Sequence, residues 1–412
     1  STARRFFLLG RDTRLSGNML EGALVAGITS TGTDVHLLGV LSTPAVAYLT
    51  ARLGAAGAVM ISASHNPVGD NGLKFFNGQG FKLCPEQEKK AERLYFRGKD
   101  PFPRPTGTAV GRAWRAEEMV DDYLFFLKKN APSLQGLQIA LDCAHGSLAE
   151  IAPHLFRGLG AKVHALHDIP AGEKINVGCG STNPSLLQKT VLEKGAHLGL
   201  AFDGDGDRLI AVDERGEVVD GDAIMAVYAS YLRDNNRLRG NKIVTTVLSN
   251  GGLDLVGTKK GFTVLRTKVG DRHVFAEMQR GGYVLGGEQS GHIIFADLLP
   301  TGDGLLTALQ LLQVMVEKET PLSSLAAIMP RLPQLQVNCA VQNKDGWETN
   351  PRIKASIGQV EEKLDGKGRV LVRASGTEPL IRIMLEGPDG ARLKELSGEL
   401  AAVITREMGA LS

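Results

Sequence analysis

The sequence predicts an α/β protein: three consecutive α/β domains with mixed, mostly parallel sheets, then a C-terminal α+β domain, arranged around a central cleft. Three observations carry that reading. The chain has 412 residues, 43% hydrophobic and 22% charged, enough for about 2 to 4 soluble globular domains. Strand-like apolar runs alternate with helix-like stretches through most of its length, the pattern of βαβ units on a mostly parallel sheet. Beyond residue 331 the order of strands and helices changes, as in a smaller α+β unit.

Phe6-Phe7-Leu8-Leu9 reads as the first strand, Met19 to Ile28 as a helix and Val35 to Leu38 as a strand. Ala45 to Leu53 reads as a helix and Gly57 to Ile61 as a buried strand. Proline and glycine cluster in GKDPFPRPTGTAVG, residues 98–111, which reads as a loop or linker. A helical stretch from Ala116 to Lys129 precedes the strands LQIALDC, AKVHAL and AHLGLAF. NKIVTTV, FTVL and YVLGG follow as a third set, closed by a helix from Leu305 to Val316. The last part holds PQLQVNCAV, RVLVRA, LIRIML and a final helix from Ala391 to Glu407. The expected domains are therefore 1–115, 116–219, 220–331 and 332–412.

Composition narrows the function. Lysine and arginine number 47 against 45 acidic residues, a net charge of +2, which argues against nucleic acid or an anionic membrane as the main partner. No run of about 18 apolar residues occurs, and the opening STARRFFLLGRD lacks the apolar length of a signal peptide. Cys84, Cys143, Cys179 and Cys339 share no metal-type spacing and read as reduced thiols, so a cytoplasmic protein is expected. His164 and His167 are expected at the surface, and Trp114 and Trp347 carry no readable function.

Three loops carry charge chemistry. In LGLAFDGDGDRLIAVDERG an apolar strand ends at Phe202, and Asp203, Asp205 and Asp207 alternate with Gly204 and Gly206. Three carboxylates so close repel one another, and a hard divalent cation offsets that repulsion. An EF-hand does not fit, because its sixth position would be Arg208 and strand patterns flank the loop. Mg²⁺ is the ion expected, with coordination positions left for a phosphate oxygen or water.

RASGTEPLIRIMLEG places Arg373, the turn Ser375-Gly376-Thr377 and Arg382 together, a donor set suited to a phosphate dianion. In LGGEQSGHIIF, Glu288, Ser290 and His292 alternate and would share one face of an extended backbone, as a reader of sugar hydroxyl or amino groups requires.

A fourth stretch, ISASHNPVGDNGLKFF, leaves a core strand at Ile61 with Ser62, Ser64 and His65 and returns through Asn71-Gly72. The G-x-S-x-G elbow is absent. Strand neighbours point to opposite faces, which places His65 poorly as a base for Ser64. With metal and phosphate sites elsewhere, the Ser64 hydroxyl reads as a phosphoryl carrier, its phosphate oxygens completing the metal shell and Lys74 adding charge or a proton.

SASHNPVGDNGLKFF, FDGDGDR, GGEQSGH and RASGTEPLIRIMLEG resemble, in order, the phosphoserine, metal, sugar and phosphate loops of the α-D-phosphohexomutases. GRDTRLSG, LDCAHGS, INVGCGST, KVGDR and TGDGLLTALQ are similar to segments of the bacterial amino-sugar members. The resemblance implies that Ser64 is the phosphorylated nucleophile and a fourth metal ligand beside Asp203, Asp205 and Asp207. It implies that Glu288 and Ser290, with His292 nearby, read the sugar. Arg373, Ser375, Gly376, Thr377 and Arg382 would hold the phosphate that is not transferred. His65, Lys74 and Arg208 complete, with Ser64, the candidate catalytic set.

The implied reaction interconverts glucosamine 6-phosphate and glucosamine 1-phosphate through a 1,6-bisphosphate, on the route to UDP-N-acetylglucosamine. A phosphosugar is the expected partner, and a second copy of the chain, as a homodimer, is a further candidate. Mannose or glucose phosphates are the alternative substrates on the same scaffold. A haloacid-dehalogenase-type phosphotransferase, with Asp203 as nucleophile, is the mechanistic rival. Family members open with a strand bearing an FGTDGIRG-like segment and an arginine near the site. That strand is expected to be missing before GRDTR, leaving a sheet edge exposed and one cation fewer, with an impaired sugar-phosphate-binding homologue as the corresponding alternative.

Overall fold

Three sheets of one repeated plan account for most of the chain. The computed structural model describes residues 5–98, 100, 102–375 and 378–410. Its contacts divide it into two units, Ser1–Thr246 with Lys260–Ile328, and Val247–Lys259 with Met329–Ser412.

In the first unit, β1 (Phe6–Arg11), β2 (Asp34–Val40), β3 (Gly57–Ile61), β4 (Leu73–Asn77) and β5 (Ala113–Arg115) form a sheet of order β4-β3-β1-β2-β5. β1 runs parallel to β2 and β3, and β4 returns antiparallel to β3. The second sheet has β6 (Gln138–Asp142), β7 (Lys162–Leu166), β8 (Leu198–Phe202), β9 (Leu209–Asp213) and β10 (Val218–Val219), in the order β10-β9-β8-β6-β7. Here β6 is parallel to β7 and β8, and β9 returns antiparallel to β8. The third sheet has β11 (Lys242–Thr246), β12 (Thr263–Thr267), β13 (Leu285–Gly287) and β14 (Ile293–Phe295), in the order β12-β11-β13-β14. Again the first strand is parallel to the next two, and the fourth returns antiparallel.

Burial on both faces explains the continuous apolar runs. Every residue of β3, β8 and β9 is buried. Leu9, Val35, Val59 and Ile61 form one cluster of the first sheet, packed by Leu20, Leu24 and Ile28 of the helix Gly17–Thr29. The helix Thr43–Arg52 starts with Ser42 as cap and a proline in its first turn, and Asp303 caps the helix Gly304–Lys318, accepting from Leu306 N at 3.0 Å.

The second unit holds β15 (Gln334–Ala340), β16 (Arg369–Ala374) and β17 (Leu380–Glu386), all antiparallel with β17 central. Helices Pro351–Leu364 and Gly390–Met408 bury Ile353, Val360, Leu396 and Leu400 against Ile381, Ile383 and Leu385. Residues 247–259 group with this unit through polar contacts. Arg369 Nη1 donates to Val247 O at 2.8 Å, and the buried Glu386 carboxylate accepts from Gly251 N at 3.0 Å and from Gln334 Nε2 at 2.6 Å.

Several elements go beyond the sequence expectation, two of them in the segment after β4. A helix spans Pro85–Phe96, where PEQEKKAERLYF shows no apolar stripe and buries no residue; Pro85 in its first turn and the Gln87 side chain, accepting from Cys84 N at 3.1 Å, start it. The proline-rich stretch runs on into β5, which pairs with β2 and sets Trp114 edge-on against His36, ring centroids 5.4 Å apart. Among the described residues no helix is long and apolar enough to cross a membrane, and Cys84, Cys143, Cys179 and Cys339 are free thiols.

Candidate active site

The β3–β4, β8–β9 and β13–β14 loops are topologically equivalent. Each leaves a strand at its carboxyl end and returns beside it, and in open α/β sheets ligands gather at those ends.

The β8–β9 loop brings Asp203, Asp205 and Asp207 together, all buried, with one carboxylate oxygen of each within 4.8 Å of the others. Gly206 is required there: its φ is +71°, and a Cβ would lie 2.7 Å from Leu148 Cγ. The carboxylates have unequal partners. Ser64 Oγ donates to Asp203 Oδ2 at 2.6 Å, and Arg208 N donates to Asp203 Oδ1 at 3.1 Å. Lys74 Nζ pairs with Asp205 Oδ2 and lies 3.5 Å from Asp207 Oδ2, while the Thr43 hydroxyl also donates to Asp205 Oδ2.

Asp205 Oδ1 and Asp207 Oδ1 are buried without a hydrogen-bond partner. Orphaned oxygens in an all-carboxylate set fit a hard divalent cation. Burial, then the charges of Asp207 and Asp205, pushes the Asp203 carboxyl well above its ordinary range. Burial would raise Asp207 too, but Lys74, His292 and Arg208 hold it well below. Burial would likewise lower Lys74; Asp205 and Asp207 overcome it and keep the ammonium protonated. The cluster is thus short of positive charge at Asp203, the carboxyl that Ser64 faces.

Ser64 and Ser62 separate cleanly. The Ser62 hydroxyl donates to Asp12 Oδ2 at 2.6 Å and accepts from Ser64 N at 2.9 Å, so it is spent on structure. Ser64 has a φ of +53° and aims its hydroxyl at the carboxylates. This conformation corrects the expectation that His65 points away: with the backbone out of the strand, His65 Nδ1 lies 3.3 Å from Ser64 Oγ. Burial, then Arg208, lowers the His65 pKa, which keeps the ring neutral. Lys74 reaches the same place because β4 pairs it with Met60 of β3.

The extended backbone expected for Glu288, Ser290 and His292 is not found. Residues 288–291 form a tight turn, with Gly291 N donating to Glu288 O at 3.0 Å and Glu288 N to His292 O at 3.0 Å. Glu288 Oε1 accepts from Gly270 N at 3.0 Å. His292 is buried: Gly302 N donates to its Nε2 at 3.1 Å, and its Nδ1 lies 3.6 Å from Asp207 Oδ2. It therefore faces the aspartate loop rather than sharing an open face with Glu288 and Ser290.

In the second unit, Arg373 and Arg382 are direct partners on β16 and β17. Burial, then the charge of Arg382, lowers the pKa of Arg373, and Arg382 Nε is buried without a partner. Like charges opposed across two strands are unfavourable unless an anion joins them, and here Arg382 Nη2 pairs with Glu378 Oε2 at 2.5 Å. Ser375 N donates to Leu380 O at 2.8 Å, and Gly376 and Thr377 lie outside the described residues.

Comparison with known proteins agrees with this architecture. Models of the phosphoglucomutase/phosphomannomutase family match in order: α/β/α domain I over residues 2–101, domain II over 121–216, domain III over 220–332, and the C-terminal domain over 337–403. The chain belongs to the phosphoglucomutase/phosphomannomutase family. Among curated relatives, the phosphoglucosamine mutase of Symbiobacterium thermophilum is 52% identical over 97% of this chain and 90% of its own length. That of Bacillus cereus (strain AH187) is 52% identical over 99% and 92%. A phosphoglucomutase/phosphomannomutase family protein of Burkholderia thailandensis has the same fold, with a TM-score of 0.83 at 24% identity, covering 99% of this chain and 90% of that one. The N-acetylphosphoglucosamine mutase of Aspergillus fumigatus, solved with GlcNAc-6P and magnesium, aligns with a TM-score of 0.71 at 19% identity, over 89% and 92%.

Within this family fold, several site residues escaped sequence reasoning. Thr43 lies before the helix read from Ala45, yet its N–H donates to Asp205 O at 2.9 Å. Asn176 Nδ2 donates to Ser64 O at 2.9 Å, and Gly304 N donates to Gly206 O at 3.0 Å. The INVGCGST and TGDGLLTALQ segments were the available signals. His167, expected at the surface, is half-buried with Nδ1 3.0 Å from Asp142 Oδ1, which with the Asp142 hydrogen bond first raises its pKa.

Proposed function

We propose that this family member interconverts glucosamine 6-phosphate and glucosamine 1-phosphate, with Ser64 as the phosphoryl carrier. The single observation that carries the reading is the Ser64 hydroxyl, held at 2.6 Å against Asp203 in a buried three-carboxylate loop with two unsatisfied oxygens. The amino-sugar choice is supported by curated relatives named phosphoglucosamine mutase at 52% identity.

In the proposed cycle the bond from phosphorus to the Ser64 oxygen breaks as a bond to a sugar hydroxyl oxygen forms, giving a sugar 1,6-bisphosphate. The other phosphoryl group then returns to Ser64 from the opposite end of the reoriented bisphosphate. Asp203, Asp205, Asp207 and the Ser64 oxygen would hold a Mg²⁺ ion, which supplies positive charge against the phosphoryl oxygens. Lys74 adds a fixed ammonium charge at the carboxylates. The proton of the attacking sugar hydroxyl ends on the leaving Ser64 oxygen, relayed by neutral His65, 3.3 Å from Ser64 Oγ, and the relay runs backwards when Ser64 is rephosphorylated and the sugar oxygen leaves. Arg208 adds a buried cation beside Asp207, its Nε 3.8 Å from Oδ1. Glu288 and Ser290 would meet the sugar, with His292 buried behind them against Asp207, and Arg373, Ser375, Gly376, Thr377 and Arg382 would take the phosphate that is not transferred.

The test is turnover with Mg²⁺ and a sugar bisphosphate activator, comparing glucosamine, glucose and mannose 1-phosphates. A clear preference for glucosamine 1-phosphate is expected, and preference for glucose or mannose overturns the substrate assignment. Intact mass should show one phosphoryl group on the wild type and none on Ser64→Ala. Phosphorylation persisting in Ser64→Ala would place the nucleophile elsewhere.

A further inference from the structure

The loop that carries Ser64 is built around an arginine whose every donor is spent. Arg14 is 1% exposed. Its Nη1 donates to Pro67 O at 2.6 Å and Asp70 O at 2.8 Å, and its Nη2 to Ser64 O at 3.0 Å and Asn66 O at 2.8 Å. Its Nε donates to Asp12 Oδ2 at 3.1 Å. A guanidinium has five N–H donors, and all five are accounted for. Arg14 therefore has none left for a substrate phosphate, although it lies in the layer directly behind the nucleophile.

The sequence places it there simply. β1 and β3 are parallel with Arg11 opposite Ile61, so the residues that follow each strand emerge side by side. Asp12 N donates to Ile61 O at 3.0 Å, and the Asp12 carboxylate accepts from the Ser62 hydroxyl, which in turn accepts from Ser64 N. Asn176 Nδ2 joins Arg14 on Ser64 O, at 2.9 Å. Both sides of Ser64 are thus pinned, its N–H through Ser62 and its C=O by two donors, in a left-handed conformation that non-glycine residues avoid.

We infer that Arg14, with Asn176 as its second donor, is a positioning residue that holds Ser64 in its reactive pose and turns the loop carbonyls away from the transferred phosphoryl group. The second effect follows from the first. Four carbonyl oxygens aimed at one buried cation direct their negative ends inward, where an arriving phosphate dianion does not meet them. The inference rests on Ser64 being the phosphoryl carrier and adds how that serine is presented.

Arg14→Lys keeps the charge but offers three donors in place of a planar fork of five. Its kcat should fall about 100-fold, the scale of a misplaced reacting group, with KM for the sugar phosphate unchanged. Amide exchange across residues 62–72 should accelerate, while that of β8 and β9 stays as in the wild type. Asn176→Gly preserves the φ of +60° at that position while removing the donor, and should shift kcat and exchange in the same direction by less. A folded Arg14→Lys with wild-type kcat overturns the inference, as does a rise in KM alone, which would make Arg14 a substrate contact. Should Arg14→Lys fail to fold, unchanged kcat and exchange in Asn176→Gly overturn it. A wild-type chain that carries no phosphoryl on Ser64 and turns over no sugar phosphate instead defeats the proposed function, while exchange at 62–72 still reports on the clamp.

Discussion

The β3–β4 and β8–β9 loops occupy equivalent places in two sheets of the same plan and solve opposite electrostatic problems. The first carries its own cation: Arg14 is buried in it and saturated by backbone carbonyls and Asp12. The second gathers three buried carboxylates around one lysine and leaves two oxygens without hydrogen bonds. One loop is complete in the folded chain; the other has an acidic triad that fits a cation from outside. Equivalent backbones therefore do not imply equivalent roles, because the loop sequence decides whether the charge balance closes internally.

The largest expected effect tests whether the two loops meet in one reaction. Ser64→Ala should lower turnover by roughly 10⁴-fold or more, as loss of a nucleophile does. Retained turnover in a steady-state assay would separate the serine from the aspartate cluster.

Asp303 probes the scaffold behind the aspartate loop. Burial raises its carboxyl from 3.8 to about 6, against the hydrogen bonds from Leu306 N and Tyr123 OH, and Gly304 beside it donates to Gly206 O. The folded chain keeps a proton there that the unfolded chain releases near pH 4. Stability from this group is full below that pH and is lost as pH rises through about 6. Relative to Asp303→Asn, the wild type should lose about 2 kcal/mol between pH 4 and pH 7, read by urea denaturation at each pH. A difference independent of pH would show that Asp303 is ionised throughout.

Mg²⁺ sharpens the contrast directly. At 100 times its dissociation constant the ion should stabilise the protein by about 2.7 kcal/mol, lost on adding a chelator. Amide exchange should slow at residues 203–208 and stay unchanged at 66–70, where Arg14 already holds the carbonyls of Asn66, Pro67 and Asp70. Slowing in both loops to the same degree would break the distinction. The smallest effect belongs to the third equivalent loop: Ser290→Ala should raise KM for the sugar phosphate about fivefold, one hydrogen bond of about 1 kcal/mol, with kcat retained.

Much of the site was legible because its parts are local. Asp203, Asp205 and Asp207 sit within five residues between two apolar runs, so their repulsion shows in the sequence itself. The turn at Asn71-Gly72 announced the return of Lys74. Alternation misled where the chain was not a strand: Glu288 to His292 form a turn, and Ser64 is left-handed. Thr43 and Asp205 are separated by 162 positions and Asn176 and Ser64 by 112, distances that no periodicity spans.

By itself the sequence determined the α/β class, the residue types of each loop and the need for positive charge at the aspartates, since strand period, turn residues and neighbouring charges are local properties. Only the tertiary structure decided that Ser64 rather than Ser62 turns its hydroxyl to the carboxylates, that His292 faces Asp207, and that Arg14 lies beneath Ser64. The reason is parallel pairing, which sets the ends of distant strands side by side and lets a residue after β1 hold the loop after β3.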